Sequence, residues 1–182
     1  VEKKIELIAW NNVKIVVDDA KRWEDDIFCD YEYLLEDIKV WETIIIDSGL
    51  CNVRVKEIHN DFLIWEVLNT CIIGSKRHIN LPGVKLKLPG ITAKDKEDVL
   101  FAIENNYDFI AMSFVRNKEN IQELRDILKE YYATHIKIIS KIENQEAIEN
   151  LEEIIQHSDG VMVARWDLWI EVPIEKLPFY QK

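Results

Sequence analysis

Hydrophobic and polar residues alternate in short runs over the first 88 residues of the chain. Apolar residues dominate these runs and alternate with polar ones in NVRVKEI and VKLKL, and turn-forming residues separate the runs at short, regular spacing. The runs are VKIVVDD, DIFCDY, TIIIDSGL, NVRVKEI, FLIWEVL and VKLKL. A period of two is typical of β-strands with one buried face. The pattern predicts a small all-β barrel or sandwich over residues 1–88, with hairpin turns at residues 48–50 and 59–61.

After residues 88–90 the pattern changes to helices that alternate with apolar strands. Thr92 is placed to cap a helix over AKDKEDVLFAIENN, and YDFIAMSFV follows as a buried strand. Two further helix and strand pairs come next: NKENIQELRDILKEYY with HIKIISKIE, and NQEAIENLEEIIQHS with DGVMVAR. Strands and helices in this order indicate an α/β fold with a parallel sheet over residues 89–182. The sheet is either doubly wound or part of a (β/α)8 barrel, which three strands are too few to close.

Composition and charge exclude several classes of protein. The 182 residues are 48% apolar and 31% charged, as in an ordinary globular protein, and the net charge of −11 argues against a nucleic-acid surface. No apolar run approaches the roughly 18 residues of a membrane span. Three cysteines without a CxxC pair indicate neither a disulfide framework nor a thiolate zinc site, and they fit a reducing cytosol. Since no initiator Met is present, we expect a fragment of a longer protein.

Two charged residues share one face of the strand IKIISKIEN. The period of two places Ser140 and Ile142 on one face, and Lys141 and Glu143 on the other. They stand at the carboxyl end of the strand, where barrel enzymes keep their active sites. The alternative is an ion pair on a solvated strand end.

The next strand ends in ARWDLW, which brings Arg165 and Asp167 to the same rim. Asp167 and Glu143 could share Mg²⁺, which proteins hold through one or two carboxylates together with water and substrate oxygens. Lys141 would then stand beside a transferring phosphoryl group or a developing enolate. The alternative is that Asp167 caps the following helix.

Two other segments carry polar residues that suit anion binding. Ser113 and Arg116 follow the first apolar strand of the second half, where a hydroxyl and a guanidinium suit phosphate or carboxylate. Both are also common turn residues. In the β half, Lys76 and Arg77 lie in the loop GSKRHINLPG, either as phosphate contacts or as solubilising charges at a sheet edge.

Long segments resemble pyruvate kinase. HINLPGVKLKLPGITAKDKEDVLFAIENNYDFIAMSFVR and HIKIISKIENQEAIENLEEIIQHSDGVMVARWDLWIEVPIEKLPFYQK look like the central part of that family, while VWETIIIDSGL and LNTCIIGSKRHINLPG look like its lid domain. The resemblance covers essentially the whole chain. It implies a β-barrel lid over residues 1–88, followed by part of a (β/α)8 TIM barrel, about three βα units, over residues 89–182.

The resemblance also implies roles for individual residues. Lys141 corresponds to the lysine that assists phosphoryl transfer, and Glu143 and Asp167 correspond to the two Mg²⁺ carboxylates. The turn formed by Ala164, Arg165, Trp166 and Asp167 would offer backbone N–H groups to the substrate carboxylate. Ser113 and Arg116 would lie near the substrate pocket, and Asp47 and Arg77 match lid positions that close over the nucleotide, although Ser48 and His78 depart from the family pattern.

The family reaction transfers phosphate from phosphoenolpyruvate to ADP and yields pyruvate and ATP in glycolysis. The resemblance therefore implies a cytoplasmic enzyme, a homotetramer as the parent, and dependence on Mg²⁺. It also implies K⁺, whose ligands belong to segments outside this chain. Without those segments we expect the fragment to be inactive. The alternative is a non-catalytic relative that keeps the lid and half-barrel for binding or assembly.

Glycine is scarce and tryptophan abundant, with 5 and 6 residues respectively. Five tryptophans stand at turns where the family tends to carry glycine: Trp10, Trp23, Trp41, Trp166 and Trp169. The last two replace both glycines of the family motif RGDLG. One hypothesis is that these codons are UGA, read as glycine in the source organism. If they are real tryptophans, Trp166 should crowd the N–H groups that meet the substrate. Trp65, inside FLIWEVL, is expected to be genuine.

Overall fold

The structure is a computed structural model that describes residues 4–23 and 26–182. The chain divides into two compact units, residues 1–87 and residues 88–182. Each unit has a hydrophobic core of its own. The change of hydrophobic period near residue 88 therefore coincides with the boundary between the units.

The first unit is built mainly of short strands. In chain order they are β1 (Ile5–Leu7), β2 (Asn12–Val16), β3 (Ile27–Phe28), β4 (Thr43–Ile46), β5 (Cys51–Ile58), β6 (Phe62–Val67), β7 (Cys71–Ile73) and β8 (Ile79–Asn80). A 3-10 turn at Asp19–Lys21 and helix α1 (Leu34–Asp37) interrupt them. One sheet of the described chain has the order β3-β2-β6-β5-β4-β8, and β1 pairs with β7 in another.

Alternating burial builds the core of this unit. Alternate residues of the paired strands β5 and β6 lie side by side in the core. These are Val53 and Val55 of β5 and Leu63, Trp65 and Val67 of β6, and all five side chains are inaccessible to solvent. β4 pairs antiparallel with β5, and β5 with β6, across the turns at residues 48–50 and 59–61. Both predicted hairpins are confirmed.

The strand prediction for VKLKL is wrong. Val84 and Leu86 do pack against the core, so the alternation is real, but the segment joins no sheet. The Val84 N–H closes a turn onto the Leu81 carbonyl at 3.0 Å, and the Lys87 N–H donates to the Tyr31 hydroxyl at 2.7 Å. Strands β1, β7 and β8 were not predicted, because runs of two or three residues are too short to show a period.

The expectation of no disulfide is also wrong for one pair. Cys51 and Cys71 are disulfide-bonded, with their Cα atoms 5.6 Å apart, while Cys29 is buried and free. The two bonded residues begin β5 and β7, and 20 positions separate them in the chain. Their proximity follows from how the strands fold together, which cysteine spacing alone does not reveal.

The second unit alternates helices and strands as predicted. Its elements are α2 (Ala93–Glu104), β9 (Phe109–Met112), α3 (Lys118–Glu130), β10 (Lys137–Ile142), α4 (Gln145–Glu149), α5 (Leu151–His157), β11 (Gly160–Val163), α6 (Arg165–Glu171), a 3-10 turn (Ile174–Lys176) and α7 (Leu177–Tyr180). The strands form a parallel sheet in the order β11-β10-β9. The prediction of a parallel sheet within an α/β fold is therefore confirmed.

A local cap fixes the start of α2, and a contact with a distant residue accompanies the break between α4 and α5. Thr92 caps α2 by accepting the Asp95 N–H at 3.1 Å, and the Asp95 carboxylate accepts the Thr92 N–H in return, so the predicted cap is confirmed. The single helix predicted over residues 144–158 is divided into α4 and α5 at Asn150. The Asn150 side chain donates to the Arg116 carbonyl at 2.9 Å, and this contact outside the helix accompanies the break.

The two faces of the parallel sheet differ in burial. Met112, Ile138 and Ile142 pack into the core with apolar side chains of α3 and α5. On the opposite face, Phe109 is 62% exposed and Met162 is 46% exposed. The prediction that the first strand is buried is wrong for this face. No helix among the described residues is long and apolar enough to cross a membrane.

Candidate active site

The candidate site is centred on the carboxyl end of β10. Ser140 and Ile142 point into the core, and Lys141 projects from the other face, as the period of two predicts. The Lys141 ammonium lies 2.6 Å from Oε1 of Glu143, whose residue is only 1% exposed. The ion pair named in the alternative is therefore present, with its carboxylate buried and its ammonium 25% exposed.

The second carboxylate oxygen of Glu143 accepts the backbone N–H of Phe114 at 2.6 Å. Phe114 lies in the turn after β9 and has a φ of 51°, in the left-handed region. This conformation belongs to the turn in which its N–H points at the carboxylate. Sequence reasoning missed this contact, because neither the residue type nor its position indicates a positive φ.

Ser113 joins the same cluster, since its hydroxyl accepts a hydrogen bond from the Lys141 ammonium at 3.1 Å. Arg116 is fixed by contacts of its own in the loop beyond β9. Its guanidinium donates to the Leu88 carbonyl, and its backbone N–H donates to the Asn120 side chain at 3.0 Å. The structure thus brings Ser113 and Glu143 into contact with Lys141.

The start of α6 lies beside the end of β10. Ala164 donates its N–H to the Ile142 carbonyl at 3.1 Å, one residue before Glu143. Ala164 is the capping residue of α6 and Asp167 lies in the first turn, where its side chain makes no capping bond. The alternative that Asp167 caps this helix is therefore wrong. Glu143 directly follows β10, and Asp167 lies in the helix that follows the neighbouring strand β11.

Backbone N–H groups at this turn are only partly available to a ligand. The N–H of Ala164 is used by the sheet, and that of Asp167 donates to the Ala164 carbonyl at 3.2 Å. Within the described chain, the N–H groups of Arg165 and Trp166 have no backbone acceptor. The Trp166 side chain is 84% exposed beside them.

The carboxylates suit a hard cation in kind and number. Mg²⁺ needs one or two carboxylates and takes its remaining ligands from water and substrate. Each oxygen of Glu143 has one observed partner and a further lone pair. Among the described residues, no group of three or more His, Cys, Asp or Glu side chains lies close enough to hold a metal ion by itself.

The opposite end of β10 is anchored by Asp159. Its carboxylate accepts the Ile138 N–H at 3.0 Å and the Arg125 guanidinium at 3.1 Å, and Lys137 lies 3.4 Å away. The hydrogen bond from Ile138 is the main cause that lowers the pKa of Asp159, and the two cations add to it against the effect of partial burial. Arg125 also binds the His157 carbonyl, so α3, β10 and β11 are tied together here.

In the first unit, Asp47 and Arg77 are also brought together. The Arg77 Nε lies 3.7 Å from the Asp47 carboxylate, and both side chains are partly exposed. Asp47 has a φ of 53° and donates its N–H to the His78 carbonyl at 2.9 Å. The two predicted lid residues are therefore neighbours at the turn after β4.

A cleft of about 340 Å³ lies elsewhere in the second unit, between α2 and α3. Its lining includes Lys96, Glu123, Asp126 and Glu130, and it contains none of the candidate site residues. The predicted site residues of this unit therefore lie outside this cleft.

Comparison with known proteins agrees with the resemblance found in the sequence. The family model described as pyruvate kinase, barrel domain, matches residues 1–182. The chain belongs to the pyruvate kinase family. A curated pyruvate kinase of Bacillus licheniformis is 42% identical over 180 residues, which are 98% of this chain and 31% of that protein. The pyruvate kinase of Staphylococcus aureus (strain MRSA252) is 43% identical with the same coverage.

A solved structure shows the same likeness in three dimensions. The crystal structure of a pyruvate kinase from Cryptosporidium parvum matches with a TM-score of 0.91 at 41% identity, over 99% of this chain and 38% of that one. The fold described above is therefore that of the corresponding part of a pyruvate kinase. The chain spans 31% of the length of the curated relatives, or about a third.

Proposed function

We propose that this chain is the central segment of a pyruvate kinase that transfers the phosphoryl group of phosphoenolpyruvate to ADP, giving pyruvate and ATP in glycolysis. The observation that carries the proposal is the contact of Lys141 with both Glu143 and Ser113 at the end of β10, beside the start of α6. These side chains come from the carboxyl ends of two neighbouring strands, β9 and β10, in a chain that belongs to the family.

Lys141 is proposed as the catalytic residue. Its ammonium is held on one side by a buried carboxylate and on the other by a hydroxyl, so its position is set before any ligand arrives. A cation fixed in this way stabilises negative charge on a transferring phosphoryl group without having to reorganise. Ser113 and Arg116 are proposed to line the substrate pocket, with the N–H groups of Arg165 and Trp166 facing the substrate carboxylate.

Glu143, at the end of β10, and Asp167, in the first turn of α6, are proposed to hold Mg²⁺. When bound, the ion would neutralise charge on phosphoryl and enolate oxygens. The chain's own part is to position the two carboxylates. The Phe114 N–H orients Glu143, and the first turn of α6 places Asp167 half-buried at the rim.

The exposed face of the parallel sheet is proposed to be the inner face of a (β/α)8 barrel whose other strands lie outside this chain. Exposure of Phe109 and Met162 supports this, as does the 31% coverage of the relatives. Residues 1–88 are proposed to form the lid domain and residues 89–182 the barrel part. The isolated fragment is then expected to be inactive, because much of the site would be missing.

Asp47 and Arg77 are proposed to contact the nucleotide from the lid. Their ion pair at 3.7 Å is partly exposed, so a guanidinium that suits phosphate lies at the surface of this turn. The parent is further proposed to be a cytoplasmic homotetramer that binds K⁺ through other segments. Light scattering and the K⁺ dependence of turnover test these two points.

A non-catalytic relative that binds or assembles is the second candidate. The observation that favours it is the bulky Trp166 in the first turn of α6, beside the N–H groups that would meet the substrate carboxylate. A complete parent protein that binds nucleotide but produces no pyruvate would support this candidate against the enzyme.

The deciding experiment compares Lys141→Met with Lys137→Met in the complete parent protein. Lys137 lies on the same face of the same strand, at its other end, where it pairs with Asp159. We expect Lys141→Met to lower kcat about a hundredfold or more and to leave Mg²⁺ binding largely intact, whereas Lys137→Met should retain turnover. Unchanged turnover in Lys141→Met would remove the proposed role of Lys141.

A further inference from the structure

Three turns of the first unit share one geometry. In each, the N–H of the fourth residue donates to the carbonyl of the first: Val84 to Leu81 at 3.0 Å, Asn11 to Ile8 at 3.1 Å, and Glu42 to Lys39 at 3.2 Å. The third residue of each has a positive φ, and the second does not. This is the type II turn, whose third position requires φ > 0 and therefore favours glycine.

The residues at that third position differ. The turn at residues 81–84 has Pro82 and Gly83, the combination that a type II turn favours, and Gly83 has a φ of 76°. The other two turns have Trp10 with a φ of 70° and Trp41 with a φ of 77°. Two bulky aromatic residues thus have the same backbone conformation as Gly83, the glycine at the equivalent position of the third turn.

Other residues with positive φ do not match the two tryptophans. In the described chain, the remaining non-glycine residues with positive φ lie between 51° and 57°, inside the left-handed region that side chains tolerate. Trp10 and Trp41 lie at or beyond the edge of that region, close to Gly83. A Cβ is strained there whatever space surrounds it.

The tryptophan side chains gain nothing from their positions. Trp10 is 71% exposed and Trp41 is 67% exposed, whereas Trp65 is fully buried in the core. An exposed indole in a tight turn neither buries apolar area nor relieves the strain of its backbone. Trp65 therefore shows what a tryptophan chosen for packing looks like in this chain, and Trp10 and Trp41 do not.

We infer that the working protein carries glycine at positions 10 and 41, encoded by UGA codons that its organism reads as glycine. UGA is read as tryptophan in some genetic codes, which accounts for the printed residue. It differs from the glycine codon GGA in its first base alone, so one anticodon change lets a glycine tRNA read it. Other amino acids are also one base away, but the backbone at both turns selects glycine.

The same codon extends the inference to Trp23, Trp166 and Trp169, which are 75%, 84% and 40% exposed. None of these three residues has a positive φ. Glycine is assigned to them because they would share the codon, and not because their backbone is strained. Position 23 borders residues 24 and 25, which lie outside the described chain. At position 166, glycine would open the N–H groups at the start of α6, a consequence that rests on the proposed function.

The direct test is tandem mass spectrometry of the native protein from its own organism, together with the codons in its gene. We expect glycine and UGA at positions 10 and 41, and tryptophan and UGG at position 65. Tryptophan or UGG at positions 10 and 41 would overturn the inference, and glycine at position 65 would overturn the structural criterion behind it. Neither readout involves turnover, so the proposed function can fail without affecting this result.

A second test measures the strain itself in the full chain, expressed with tryptophan at positions 10 and 41. Trp10→Gly and Trp41→Gly should raise the midpoint of thermal unfolding above that of the parent chain and above that of the matched Trp10→Ala and Trp41→Ala variants. Alanine removes the indole but keeps the Cβ, so it separates bulk from backbone strain. Gly83→Ala should lower the midpoint. Equal midpoints for the glycine and alanine variants would overturn the inference.

Discussion

The main sheets of the two units bury their side chains differently. The sheet of the first unit contributes to a core in which Trp65 and its neighbours on β5 and β6 are inaccessible to solvent. The parallel sheet of the second unit buries one face under α3 and α5, while Phe109 and Met162 on the other face are exposed. Lys141 projects from this open face. Side chains on the buried face of the parallel sheet stabilise the fold, whereas those on its open face can contact a ligand.

Trp65→Ala should have the largest effect, because Trp65 is the largest fully buried side chain of the first unit. We expect a loss of about 4 kcal/mol in the free energy of unfolding, measured by urea titration with circular dichroism. The Trp65 Nε1 is buried without a partner in the described chain. Trp65→Phe, which removes that donor and keeps most of the volume, should therefore cost only about 1 kcal/mol. Equal losses would indicate that packing does not dominate here.

Ile138→Ala tests the buried face of the parallel sheet. Ile138 is fully buried between β10 and the helices, so its truncation should cost about 3 kcal/mol by urea titration. The matched control is Ile139→Ala, the next residue on the same strand, which is half-buried on the opposite face. We expect that control to cost less than about 1.5 kcal/mol. A reversed order would contradict the assignment of the two faces.

Asp159→Asn tests how the amino end of β10 is anchored. The pKa of Asp159 is lowered in the folded state, so its contribution is present above the ordinary carboxyl pKa and is lost as the pH falls through the folded value. We expect a loss of about 1 kcal/mol at neutral pH, discounted for partial exposure. The difference between variant and parent should shrink below about pH 4, as urea titrations across pH would show. A difference independent of pH would rule out a charge effect.

Phe109→Thr should have the smallest effect. Its side chain is 62% exposed on the open face and packs against no core, and threonine suits a strand. We expect a change within about 0.5 kcal/mol in the free energy of unfolding of this chain. A loss as large as that of Ile138→Ala would show that the open face is covered in solution, and sedimentation at several concentrations would then reveal whether copies of the chain cover it.

Much of the fold follows from local patterns. The hairpins around β5, the cap at Thr92 and the opposite faces of Ser140 and Lys141 were predicted from neighbouring residues, and the structure confirms them. The predicted strand at residues 84–88 shows the limit of this reasoning. Its alternation is real, yet the segment is part of no sheet in the described chain, and the Lys87 N–H donates to the Tyr31 hydroxyl.

Contacts between distant residues explain what was missed. β1 pairs with β7 across more than sixty positions, and Cys51 meets Cys71 only because their strands fold together. At the candidate site, the Phe114 N–H reaches Glu143 because a turn with positive φ points it there. No period or spacing in the sequence encodes any of these contacts.

The sequence by itself determined the family, through long segments that resemble pyruvate kinase. It also determined the alternation of helices and strands after residue 88 and which residues of a strand share a face, because periods of two and of 3.6 are properties of neighbouring residues. Only the tertiary structure decided which strands pair, which face of the parallel sheet stays open, and how Glu143 is held between Lys141 and Phe114. It also separated Trp65 from Trp10 and Trp41. Burial and backbone conformation depend on the whole fold, whereas the sequence gives tryptophan at all three of these positions.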